Sequence, residues 1–215
     1  MAAWYAALTD RPGEAVIHAE FAIEQVEQSG KPYFMSAFML GMGIVYYWVG
    51  KADIAEMYLQ KARRIGENID NSLLEWVYLL FAAYLAIDQN RDESGIILLK
   101  DAMRLGRENG YTHFFFWPRS ALSKLCGIAL DEGIETKYVR RLISQHNLLP
   151  DPTTPATDNW PYPIKIYTLD RFNVLKDEIP IRFEGKAQRA PMNLLKMLIA
   201  FGGRDVSEQR LASTL

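Results

Sequence analysis

Apolar residues return every three or four positions from residue 2 to about residue 146, interrupted only where Gly, Pro, Asn and Asp cluster. That period predicts amphipathic helices near 2–8, 13–28, 32–49, 52–68, 72–88, 92–108, 112–130 and 135–146. Start signals agree with it. Asp70-Asn71-Ser72 offers capping oxygens before an apolar run, and Lys31-Pro32 puts proline in a first turn, where its missing N–H costs nothing. Gly30, Gly50 and Gly110 stand where helices stop. The next stretch, "LLPDPTTPATDNWPYP", holds five of the ten prolines and reads as an extended linker. Beyond it the period changes to two. Ile164, Ile166, Val174, Ile179, Ile181 and Phe183 lie in a pattern that alternates with polar residues, and Lys176-Asp177-Glu178 forms a turn, so two or three antiparallel strands are expected. A helix opening at Pro191 follows, with Leu194, Leu195, Leu198 and Ile199 on one face and Gly202-Gly203 as its stop. Ser207 then caps a last helix, flanked by Val206 and Leu211 at the positions of a hydrophobic staple.

Over the helical part the pattern also repeats at a step of 40 residues. Ala15, Ala55 and Gly95 form one small-residue column, Ala22, Ala62 and Ala102 a second, and Gly43, Ala83 and Ser123 a third. Larger residues keep the step as well: Leu59 with Leu99, Ile65 with Leu105, Trp76 with Phe116. The string "YLQKARRIGEN" from Tyr58 is echoed by "LLKDAMRLGRE" from Leu98. A period in this range predicts stacked helical hairpins that bury their faces against one another and present an extended binding surface.

Composition narrows the classes. The chain has 215 residues, 49% of them hydrophobic and 23% charged, an ordinary balance for a water-soluble globular protein. No uncharged apolar run reaches the ~18 residues of a membrane span, and the first residues lack a basic signal-peptide region, so a cytoplasmic, non-membrane protein is expected. The single Cys126 excludes an intramolecular disulfide and agrees with a reducing compartment. The net charge of −2 hides an asymmetry: from Ile164 onward nine Lys/Arg face six acids, against 15 basic and 20 acidic residues before it. The two parts are suited to different partners.

Catalytic and metal motifs are missing from the sequence. His18, His113 and His146 have no Cys or second His at ligand spacing. Gly41-Met42-Gly43 lies inside an apolar helix rather than a phosphate loop. Asp92-Glu93 and Asp177-Glu178 sit at a helix start and a turn. No enzyme, cofactor or metal is expected. The last helix stops at Leu215 without a cap, and Ala3 lies one 40-residue step before Gly43, so both ends read as cuts in a longer chain.

The repeat columns resemble the tetratricopeptide pattern. With Ser36 as the first position, Gly43 falls on a small position, Tyr46 on an aromatic one, and Ala55, Leu59 and Ala62 on the small and leucine positions of the second helix. The period departs from the usual ~34 residues, and Met39, Leu79 and Arg119 replace the tryptophan of that family. In this form the array is similar to the sensor regions of large bacterial transcriptional activators of the maltose-activator type. From Ile164 onward the chain separately resembles the start of an OmpR-type winged helix, carried by Phe172, Val174, Ile179, Ile181, Phe183, Leu194, Leu195, Leu198, Val206, Ser207, Leu211 and Leu215.

These resemblances imply a mainly α fold: a tetratricopeptide-like helical-hairpin superhelix over 1–149, a Pro-rich linker over 150–163, and a small truncated α+β winged-helix segment over 164–215. They imply a concave groove for a protein partner or small-molecule effector, lined by Tyr47, Trp48, Tyr84, Asp88, Trp117 and Lys124. They also imply DNA binding by the whole protein but not by residues 1–215 alone, because the recognition helix and wing are missing. Homo-oligomerisation is left open. The expected role is a regulatory and sensor part of a bacterial transcription regulator. The alternative is a protein-interaction scaffold with no DNA-binding role.

Overall fold

The computed structural model describes residues 1–114, 118–151, 159–169, 172–181, 189–203 and 205–212. Helices dominate: α1 Ala2–Leu8, α2 Pro12–Ser29, α3 Pro32–Trp48, α4 Ala52–Asn68, α5 Ser72–Asp88, α6 Asp92–Asn109, α7 Arg119–Asp131, α8 Thr136–His146, α9 Arg189–Ala200 and α10 Glu208–Ala212. A small antiparallel sheet of β1 Ile164–Tyr167, β2 Asn173–Lys176 and β3 Ile179–Pro180 lies between α8 and α9 in the chain. The chain divides into two units, Met1–Pro161 and Tyr162–Leu215.

The first unit is built from helical hairpins, and the 40-residue step recurs in its backbone. Asp10, Gly50 and Asn90 all take positive φ (54°, 78° and 58°) at the turn inside a hairpin. The next residue in each case, Arg11, Lys51 or Arg91, donates its N–H to the carbonyl of Ala6, Tyr46 or Ala86 at 2.8–2.9 Å. This is the bond that closes a helix whose stop residue is left-handed, a conformation that Gly adopts freely and Asn and Asp tolerate. Between hairpins the same thing happens at Gly30, Asp70 and Gly110 (62°, 49° and 70°). Asn71 and Tyr111 there donate to Gly66 and Gly106.

Side-chain patterning explains which helix lies where. α4 buries Ala55, Leu59, Ala62 and Gly66, a single stripe, while α3 buries an unbroken run from Met39 to Tyr46 and so lies between neighbours. Small residues set the approach within each hairpin. A Cβ on Gly43 would stand 3.1 Å from the Leu59 side chain and 3.3 Å from the Ala55 carbonyl oxygen. One step on, the same crossing has Ala83 in α5 and Gly95 in α6, where an added Cβ would be 3.4 Å from the Ala83 oxygen. Buried Ser36 donates its hydroxyl to the Ala62 carbonyl at 2.8 Å and ties α3 to α4. Each fully buried Leu, Ile or Phe in these interfaces contributes about 1.5–3 kcal/mol.

Most helix limits fall within two residues of the sequence expectation, but α7 does not. The spacing predicts a helix over 112–130, whereas α7 begins at Arg119 with Pro118 as its N-cap residue in extended conformation (ψ 131°). Proline has no N–H to continue a helix and its ring clashes with the carbonyl four residues back, and residues 112–114 run as an irregular segment instead. Phe116, paired with Trp76 by the 40-residue step, lies outside the described residues.

In the second unit, Asp177 and Glu178 both take positive φ (50° and 67°) and form the two-residue turn that joins β2 to β3. β1 pairs with β2 so that Ile166 opposes Val174 and Ile164 opposes Lys176. Of the alternating apolar residues in the strands Val174 is buried, whereas Ile179 is 70% exposed. After α9, Gly202 and Gly203 are left-handed, and the Gly203 N–H closes the helix on the Leu198 carbonyl at 2.8 Å. The Ser207 hydroxyl accepts from the Arg210 N–H at 3.3 Å, capping α10. Phe183 and Leu215, both part of the winged-helix resemblance, lie outside the described residues.

Candidate functional site

Tyr47 sits in the last turn of α3, Tyr84 and Asp88 are one turn apart at the end of α5, and Lys124 lies in α7. Successive hairpins bring these four side chains together. The Asp88 carboxylate accepts from the Tyr47 hydroxyl on one oxygen and from the Lys124 ammonium on the other, the latter at 2.9 Å. The Lys124 ammonium also stands 5.5 Å above the Tyr84 ring. Beneath them Phe81 holds both tyrosines, with Tyr47 edge-on at 6.5 Å and Tyr84 at 6.2 Å between ring centroids. Three first helices are thus linked by one carboxylate.

Trp48 turns elsewhere. It stacks on Trp4 of α1 at 4.9 Å, so the expected groove continues toward the first hairpin as an aromatic pair rather than as part of the charged cluster. Trp117 lies outside the described residues.

The electrostatics follow from this packing. Burial works against the Asp88 charge, but the Tyr47 hydroxyl and the Lys124 ammonium outweigh it and hold the carboxyl below its usual range. Tyr47 is pushed well above the ordinary phenol range by burial first, then by its hydrogen bond to Asp88 and that residue's charge. Tyr84 rises through burial and the Asp88 charge, with Lys124 opposing. A carboxylate with a depressed pKa adds stability that is present above its unfolded value near ~4 and is lost as pH falls through its folded value. Asp88→Asn is therefore expected to lower stability at neutral pH by about 0.5–1 kcal/mol, the range of a partly exposed pair. Thermal melts of both proteins should differ at pH 7 and converge in acid; an equal difference at both ends would refute the linkage.

A second cluster is invisible in the linear spacing. His113 and His146 are 33 positions apart, yet their rings lie parallel, 5.9 Å between centroids and 12° between planes. His146 Nε2 also lies in hydrogen-bonding contact with the Thr112 carbonyl oxygen. The irregular segment before α7 and the end of α8 bring them together. Their spacing in the sequence gives no sign of this pairing, because it carries no information about how the chain returns on itself. Nearby, the Tyr138 hydroxyl of α8 donates to the Tyr111 carbonyl at 2.5 Å and pins the start of the same segment. Among the described residues no three His, Cys, Asp or Glu side chains gather as a metal site. Burial raises the Cys126 thiol far above its ordinary range, which suits a packing residue rather than a nucleophile.

No protein-family model, curated protein or solved structure matches this chain. Among the described residues no helix is long and apolar enough to cross a membrane.

Proposed function

We propose that this chain is the regulatory part of a bacterial transcription regulator, with a tetratricopeptide-like superhelix as sensor and the start of an OmpR-type winged helix after the Pro-rich linker. The observation that carries this reading is the order of elements in the second unit: three antiparallel strands, a helix closed by two left-handed glycines, then a Ser-capped helix. That order, beside an array of helical hairpins, is the arrangement the two resemblances call for. The polar groove at Tyr47, Tyr84, Asp88 and Lys124 supports a sensing role, because aromatic faces flanked by opposite charges suit a peptide or small polar effector. Binding there acts by population shift, favouring one state of the array and so changing the availability of the DNA-binding part.

Gel shifts on DNA selected from a random library test the DNA half. The natural full-length product is expected to give a sequence-selective complex, and residues 1–215 only a weak one that disappears with added salt. A full-length protein that selects no sequence would overturn the reading and favour the scaffold alternative.

A further inference from the structure

Between α5, α7 and α8 lies a cavity of about 50 Å³, bounded in part by Val77, Leu80 and Leu142 and in part by His113, Arg119 and His146. The first three are buried, whereas His113 and Arg119 reach solvent and His146 is half-buried, so the space has a dry end and a wet end. Its charge is one-sided. Arg119 opens α7, where the first N–H groups already present a positive end, and the first turn holds no acidic residue to offset it. Among the described residues Arg119 forms no ion pair, and a neighbouring depression is bordered by Arg119 and Asp151 together. A cation at this end of a helix is electrostatically unfavourable unless an anion joins it, and the His113 and His146 side chains border the same space.

We propose that the cavity is a binding site for a short branched-chain carboxylate, with the alkyl end against Val77, Leu80 and Leu142 and the carboxylate on Arg119 at the end that His113 and His146 border. Size sets the class. The space is about a third of the roughly 150 Å³ of an apolar cavity that takes up benzene, so it suits a small branched alkyl group rather than an aromatic ring. Arginine suits a carboxylate because its planar fork donates two parallel hydrogen bonds. None of Tyr47, Tyr84, Asp88 and Lys124 lines the cavity, so this site stands or falls separately from the regulator reading.

Isovalerate is the probe, with isovaleramide as its neutral isostere and acetate as its truncated form, each titrated into residues 1–215 by calorimetry and amide NMR. Isovalerate is expected to saturate with a Kd of about 1 mM or tighter. Its amide shifts should centre on Thr112–Phe114 and on the last turn of α8. Isovaleramide and acetate should each bind at least about tenfold more weakly, and Arg119→Gln should weaken isovalerate by a similar factor without changing the melting temperature. The site is refuted by any of four results: no saturable binding, equal binding of acid and amide, unchanged affinity in Arg119→Gln, or shifts centred elsewhere.

Discussion

Replacing Gly106 with leucine is expected to destabilise the first unit by about 3 kcal/mol or more, the upper end of overpacking costs. Gly106 lies on the buried face of α6, where a Cβ would collide with the Tyr138 hydroxyl and come within 2.6 Å of Trp76 Nε1. Trp76 and Tyr138 are both buried. Neither can retreat cheaply, because Tyr138 is held to the Tyr111 carbonyl and Trp76 packs on the Tyr111 ring at 5.6 Å. In a domain of this size that cost corresponds to a fall of roughly 6–12 °C in Tm. Gly43→Leu should follow the same logic at a lower cost, since part of what it meets is the flexible Leu59 side chain. Gly13→Ala, with nothing within 4 Å of the added Cβ, serves as the control and should be neutral or slightly stabilising. A Gly106→Leu protein that melts with wild type would mean that α6 and α8 do not approach as described.

Phe81→Ala should cost about 3–5 kcal/mol, the range for deleting a fully buried aromatic ring. Phe81 is 0% exposed and lies under both groove tyrosines, so its loss leaves a cavity and removes the support of Tyr47 and Tyr84 together. One 40-residue step to either side the same position is Gly41 or Ala121. The large ring is therefore particular to the central hairpin, whose Asp88 links α3 to α7. Urea unfolding should show a lower midpoint with an unchanged slope. A loss below about 1 kcal/mol would contradict the packing, because deleting a whole aromatic ring from a filled site costs about 3–5 kcal/mol.

Helix positions were legible because their punctuation is local. A left-handed Asp, Asn or Gly and a first-turn proline act within a few residues, and the repeat of small residues every 40 positions is written in the composition of each hairpin. The start of α7 was misread because Thr112–Trp117 is apolar enough to continue a helical pattern, and the effect of Pro118 on its predecessors outweighs that pattern. Sheet pairing followed from alternation and the Asp177-Glu178 turn, but which strand residue is buried did not, since alternation marks two faces without saying which one is covered. Tyr47, Tyr84, Asp88 and Lys124 were picked out by the positions that the tetratricopeptide resemblance assigns to each first helix, and the structure brings these four side chains together. Trp48 stands one residue, about 100° around the helix, from Tyr47, and that rotation takes it to Trp4 instead. The His113–His146 pair had no sequence signal, because it depends on how an irregular segment returns to the end of α8.

The proposed control of DNA binding by the helical array is tested most directly by the DNA-binding isotherm of a protein carrying the complete DNA-binding domain and of its Tyr47→Phe/Asp88→Asn variant. The substitutions remove the contact that joins α3, α5 and α7 while leaving the buried core in place. If the groove sets the regulated state, the two midpoints should differ by about fivefold or more, the low end of allosteric coupling, while the Tm changes by only a few degrees. Superimposable isotherms from two equally well-folded proteins would contradict a sensing role for this surface.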